Sequence, residues 1–432
     1  MGIGATGLTT YAYFSAASHA LSAEEYGGIT LLWAAVFITV NVLYRPVEQL
    51  LSRTIAHRHA RGREGTEHLR VAAAIQLGLA ALFVVVTLAA RDLLEDKLFG
   101  GSRTLYAILI VAVVAYAASY FARGYLAGHR WFGYYGGLML LESFSRFLFA
   151  LVVVVGLFSG QRTVALGIAA GPLVSLTVIP WVLVRRRSRR APNGSEGRSQ
   201  PPGAIEDPAF TLAHGFGFVV PVLLVMLSEQ AFLNAGPIVV KATEGSAGTA
   251  LAGYTFNVLL IARAPLQLFQ AVQTSILPHL TRLQATGAAE TFRKSVAVTI
   301  RAIAAFAAAV MLVMLVAGPT IMDLLFGAGY HYARSGLVMV ALGMGCYLAA
   351  ATLNQAALAA GRPREAAACW VVSASAFIAF LVLPGFDDRI MQVEIAYLGG
   401  AVLLCALLYG LYRRAVVPDS RQESGASPTT MG

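Results

Sequence analysis

Asn41, Arg45, Glu48 and Ser52 follow one another at i, i+4, i+7 and i+11 within "NVLYRPVEQLLSR", the spacing of a single helical face. The run before them, "GGITLLWAAVFITV", is apolar enough to lie in hydrocarbon, and Gln49 stands beside Glu48 at the same depth. A second stripe, Arg263, Gln267, Gln270 and Thr274, repeats the spacing in another apolar run. An ionised side chain at the middle of a membrane helix costs about 2.5–3.5 kcal/mol. Such groups persist where they snorkel to an interface, pair internally, or line a polar cavity. Arg45 and Glu48 fit either a local pair near a helix end or a cavity wall. Arg263 is far from both ends of its segment and reads as cavity lining. Glu142 and Arg146, at i and i+4 in "LLESFSRFLFA", can neutralise one another as helix glue or face a cavity. Glu229 and Asn234 lie in a segment interrupted by Gly215, Gly217 and Pro221. Glu229 has no basic residue within a turn, so it suits titration or cation binding, or a buried hydrogen bond. Pro221 frees a carbonyl and permits a kink.

The elements that must hold these residues are set by composition. The chain has 432 residues, 57% hydrophobic and 12% charged, with mean hydropathy +0.68. Soluble proteins are about 25% charged, and a membrane helix needs about 20 apolar residues. Twelve segments qualify: 4–21, 28–50, 71–90, 105–126, 134–158, 163–184, 210–236, 250–276, 297–317, 335–359, 366–384 and 393–412. The fold class expected is an all-α polytopic membrane protein. The first segment begins inside an apolar run with no charged leader or cleavage site, so it reads as a helix and not a signal peptide.

Basic residues concentrate in alternate connections, among them Arg53, Arg58, Arg61, Arg63 and the run Arg185, Arg186, Arg187, Arg189 and Arg190. The positive-inside rule then puts both termini in the cytoplasm. The net charge of +10 follows from this bias and does not call for a nucleic-acid partner. Only Lys97, Lys241 and Lys294 are lysine among 32 basic residues, which suggests a GC-rich bacterial source and hence a bacterial cytoplasmic membrane. Cys346, Cys369 and Cys405 sit in apolar runs with no CxxC spacing. They read as core, with no metal site or disulfide.

The polar, Pro- and Gly-rich segment 185–208 divides the chain into an N-lobe at 1–184 and a C-lobe at 209–414, with a disordered cytoplasmic tail at 415–432. Three landmarks relate the halves: Gly28 and Gly253, Phe99 and Phe326, Gly128 and Gly361, offset by 225, 227 and 233 positions. Six helices per half make the repeat parallel, about a pseudo-two-fold axis along the membrane normal, with the site expected between the lobes.

"LSAEEYGGITLLWA", "ARAPLQLFQAVQTSILPHLTRL" and "LFGAGYHYA" followed by "NQAALAAGRPREA" resemble segments of bacterial polysaccharide flippases. These belong to the multidrug/oligosaccharidyl-lipid/polysaccharide (MOP) exporter superfamily. The resemblance covers nearly the whole chain through loose motifs, and the short first helix departs from it. It implies two six-helix lobes, a central cavity, alternating access and an undecaprenyl-diphosphate-linked glycan as substrate. Arginines suit the diphosphate and Asn or Gln the hydroxyls. On that reading Arg45 and Arg263 contact the diphosphate, with Glu48, Gln267 and Gln270 toward the glycan. Gln49, Glu142, Arg146 and Asn234 complete the cavity wall, and Glu229 is the candidate for coupling to H+ or Na+. No cofactor is expected; the partners are the lipid-linked glycan, membrane lipids and glycan-assembly enzymes.

An ion-coupled multidrug exporter of the same superfamily is the first alternative, though the balance of intramembrane Arg and Glu argues mildly against a cation cavity. A polymerase or ligase of lipid-linked glycans would need a sizeable outer loop, whereas the longest expected lie around 91–104 and 318–334. A scaffold would need no buried charge. No phosphate-binding P-loop surrounds any lysine.

Overall fold

The computed structural model describes residues 2–61, 65–181, 212–263, 265–266, 289–327 and 329–416. Among them the structure is helical. α1 (Gly2–Ala20), α2 (Ala23–Leu43), α3 (Arg45–Ala60) and α4 (Glu67–Ala89) are followed by a π turn at Leu93–Leu98. α5 (Arg103–Gly128), α6 (Phe132–Val154) and α7 (Gln161–Ser175) complete the first half. The second half holds α8 (Leu212–Glu244), α9 at 248–263, α10 (Ala289–Phe326), α11 (Arg334–Ala359), α12 (Pro363–Val382) and α13 (Arg389–Val416). Ten spans among the described residues are long and apolar enough to cross a membrane. α1 is not one of them; Tyr13, Phe14 and Ala17 are buried as it packs on α6 and α10. A helix covered by protein does not need a lipid-compatible surface.

Local chemistry explains the boundaries. α2 opens on a capping box: the Ser22 hydroxyl accepts from the Glu25 amide, and the Glu25 carboxylate accepts from the Ser22 amide, satisfying donors that a helix start leaves free. The expected single segment 28–50 is in fact two helices meeting at Tyr44. Pro46 lies in the first turn of α3 and cannot donate to the carbonyl of Val42, so Arg45 and Glu48 stand just past a discontinuity. By contrast, α8 runs unbroken through Pro221 and Pro237. α10 continues through Pro319 to Phe326, which shortens the connection expected at 318–334. Its 38 residues span about 57 Å at 1.5 Å per residue, well past a hydrocarbon core of about 30 Å.

Packing repeats between the halves. In the first, α1 lies on α6, α6 on α7, α5 on α7 and α4 on α5. In the second, α8 lies on α12, α12 on α13, α11 on α13 and α10 on α11. The two lobes meet where α2 packs on α8 and, in the equivalent place, where α1 meets α9. There the Tyr11 hydroxyl donates to the Leu260 carbonyl, and Phe14 and Phe256 have ring centroids 4.5 Å apart.

Candidate functional site

Glu142 of α6 is 3% exposed and sits among donors from α5. Arg123 pairs with it and Arg146 lies 3.4 Å away. The Tyr116 and Ser119 hydroxyls donate to it at 3.0 and 3.3 Å. Arg146 also donates to the Tyr116 oxygen at 3.0 Å, and its guanidinium lies 4.9 Å from the Trp33 ring centroid. Gly171 lets α7 close on this pair: a Cβ there would come within 3.1 Å of the Arg146 Cγ and the Glu142 carbonyl. Beside the cluster, Tyr135 of α6 donates to Glu48 at 3.0 Å.

A string of hydrogen bonds leads from here into the second lobe. The Tyr120 hydroxyl donates to Asn41 at 3.2 Å. Asn41 donates at 3.5 Å to Gln230 of α8, across the lobe boundary. Gln230 accepts from Asn234 at 2.9 Å, and Arg263 of α9 donates to Asn234 at 2.8 Å and to the Leu233 carbonyl. The Arg263 guanidinium lies 4.3 Å from the Phe256 ring centroid. Its electrostatic neighbours are Tyr11, Tyr397 and Tyr26, with no carboxylate among the described residues.

Arg45 has no hydrogen bond or ion pair among the described residues. Its nearest charged and phenolic neighbours are Glu229 from α8, Tyr120, Glu48 and Tyr135. Arg45, Glu48 and Glu229 are all half-buried, so these groups are not sealed in. Glu229, without a basic neighbour on its own helix, acquires Arg45 from the opposite lobe. Arg45, Glu48, Glu229 and Arg263 therefore stand along the lobe junction, and the Arg123–Glu142–Arg146 cluster lies beside them inside the first lobe.

Of the residues singled out in the sequence, Arg45, Glu48, Glu229, Asn234 and Arg263 come to this junction, and Glu142 and Arg146 pair inside the first lobe beside it. Gln49 is exposed and makes none of these contacts. Gln267 and Gln270 lie outside the described residues. Sequence reasoning did not single out Arg123, Tyr116, Tyr120, Tyr135 or Gln230. Tyr116, Tyr120 and Arg123 stand at i, i+4 and i+7 on α5, a polar face of the kind noticed on α2.

One end of the junction is closed. The Tyr26 hydroxyl donates to Asn257. Tyr26, Tyr254, Tyr330 and Tyr332 form an aromatic group with centroid separations of 5.9, 4.6 and 6.0 Å. Gly27 of α2 lies so close to Thr249 that a Cβ would overlap the threonine carbonyl.

No family model matches the chain, and no curated protein matches it. Solved structures do. The inward-facing conformation of a multidrug resistance MATE family transporter of the MOP superfamily is 16% identical with TM-score 0.73, covering 99% of this chain and 97% of that one. An outward-facing conformation of such a transporter gives 17% and 0.61, covering 96% and 93%. A mutant MATE transporter of Vibrio cholerae gives 16% and 0.61, covering 96% and 94%. The chain therefore shares the all-helical, two-lobed fold of these solved MATE transporter structures.

Proposed function

We propose that the protein moves a lipid-linked glycan, of the undecaprenyl-diphosphate type, from the cytoplasmic to the outer leaflet of a bacterial membrane by alternating access. The observation that carries this reading is Arg45: a half-buried guanidinium between the lobes with no hydrogen bond among the described residues. A sugar diphosphate cannot cross hydrocarbon unaided, because its charges would lose water without replacement partners. Arg45 offers a planar donor fork suited to phosphate oxygens, and Arg263 adds a second cation with no carboxylate neighbour among the described residues. Asn41, Gln230 and Asn234 supply amides for hydroxyls. The prenyl chain remains in lipid at the gap between lobes.

In this reading both termini are cytoplasmic, residues 185–208 form the linker between lobes, and glycan-assembly enzymes deliver the substrate. Glu229, facing Arg45, is the group through which H+ or Na+ coupling acts. Replacing Arg45 or Arg263 by Ala removes a charge-assisted contact of about 1.5–3 kcal/mol, roughly 10- to 150-fold at 1.4 kcal/mol per decade. Glycan export measured at matched membrane levels reports the loss. Arg45→Lys should recover part of it, and full export by both alanine variants would remove these residues from the mechanism.

The solved neighbours described as multidrug transporters support a second reading, an ion-coupled drug exporter. Arg45, with no hydrogen bond or ion pair among the described residues, and Arg263, with no carboxylate neighbour there, favour an anionic cargo instead. Drug sensitivity of a deletion strain separates the two: unchanged sensitivity with lost glycan export supports the flippase.

A further inference from the structure

The helix end at α5 and its counterpart at α11 close in the same way but with different residues. After α5, the Trp131 amide donates to the Leu126 carbonyl and the Arg130 amide to Ala127, both at 2.9 Å. After α11, the Arg362 amide donates to Ala357 at 3.0 Å and Gly361 to Leu358 at 3.1 Å. The residue that must turn left-handed is Gly361 in one lobe, at φ +75°, and Arg130 in the other, at φ +60°. Among the described residues Arg130 is the only non-glycine with positive φ. Glycine takes this position without strain, whereas an L side chain there brings its Cβ too close to the following carbonyl oxygen. A strained residue where the sister lobe uses glycine points to a task for its side chain.

That side chain lines a groove of about 750 Å³ with Trp131, Tyr134, Gly137, Leu141 and Trp181. This is within the range of about 300–1,000 Å³ typical of small-ligand sites. Gly133 and Gly137, one turn apart on α6, have no atom within 4 Å of where a Cβ would stand, so the floor is open where side chains would fill it. The groove lies apart from Tyr135, Glu142 and Arg146, none of which lines it. Apolar walls, Trp and Tyr at the rim and one exposed Arg form the pattern of a membrane interface.

We propose that this groove is a seat for an anionic phospholipid, with an acyl chain along α6 and the headgroup phosphate on Arg130. Its separation from the junction argues for a resident membrane lipid over the transported cargo.

The test uses the full-length protein in detergent, titrated with phosphatidylglycerol, phosphatidylcholine or undecaprenyl phosphate and read by native mass spectrometry and thermal unfolding. Wild type should bind phosphatidylglycerol at least tenfold more tightly than phosphatidylcholine and gain thermal stability from it. Arg130→Gly, which relieves the backbone strain and should fold normally, should lose that preference. Gly137→Leu, which fills the groove, should weaken binding of both phospholipids. Equal phosphatidylglycerol affinity in wild type and Arg130→Gly would overturn the proposal. So would loss of the preference only when the arginines of 185–190 are replaced, or displacement of phosphatidylglycerol by an equal concentration of undecaprenyl phosphate. None of these readouts depends on transport, so the result stands whatever the cargo.

Discussion

With 3% of its surface exposed, Glu142 carries a carboxylate that Arg123, Arg146, Tyr116 and Ser119 all address. Breaking a buried ion pair on one side costs about 3–5 kcal/mol, because the remaining charge stays buried without compensation. Glu142→Gln keeps the volume and one acceptor but strands two guanidinium groups, so denaturant unfolding in detergent should show a loss of that size. The double variant Glu142→Gln with Arg146→Met should be less damaged than Glu142→Gln alone, since one stranded charge is gone. Full stability of Glu142→Gln would mean the cluster is not ionised in this arrangement. The Glu142–Arg146 half of the group was legible in the sequence from its i, i+4 spacing. Arg123 was not, because a cation near a helix end reads as snorkelling until the neighbouring helix is in place to bury it.

At the scale of elements, the connection between α4 and α5 is held by Glu95, which accepts from Arg91 at 2.7 Å and Arg103 at 3.1 Å. The hydrogen bond from Arg91, reinforced by Arg103, holds this carboxyl below its ordinary value near 4.5. A carboxyl with a depressed folded pKa contributes stability that is present above the unfolded value and lost as pH falls through the folded one. Amide exchange over residues 90–103 should therefore accelerate as pH drops below about 4.5, after correction for intrinsic rates. Glu95→Gln should exchange faster at neutral pH and lose this acid dependence. Both arginines are well exposed, at 52% and 83%, so the effect stays local and weakens in high salt. Helix existence was legible in hydropathy: within the described residues each of the twelve expected segments falls on a helix or, for 28–50, on two, and 267–276 of the segment 250–276 lie outside them. The length of α10 was not, because its first turns, "AETFRKSV", are too polar to register as a span. The break at Tyr44 was available in Pro46, but an apolar window counts residues without asking which carbonyl loses its donor.

Across the whole molecule, the two lobes touch along equivalent lines, and the junction residues come from helices distant in sequence. The repeat was legible as drifting landmarks such as Phe99 and Phe326. The partners Asn41 and Gln230, or Arg45 and Glu229, were not, since each stripe fixes a helical face without saying which helix it meets. Under the proposed alternating access these lines part at one end at a time. In this structure the closed end is where Gly27 lies against the Thr249 carbonyl and Tyr26 donates to Asn257. Gly27→Val would drive its side chain into backbone, which cannot rotate away, so closure at this end should be disfavoured. Tyr26→Phe removes only one hydrogen bond, about 1 kcal/mol, and should shift the two populations by roughly fivefold. Spin labels at Glu24→Cys and Ser246→Cys, with Cys346, Cys369 and Cys405 replaced, would measure the separation across the gate. The distance distribution should gain a longer component in Tyr26→Phe and become dominated by it in Gly27→Val. If Gly27→Val fails to accumulate, Tyr26→Phe still decides the matter, because removing a hydroxyl leaves the packing of α2 on α9 intact. An unchanged distribution in Tyr26→Phe would mean that the closed end is held by something other than the bond between Tyr26 and Asn257.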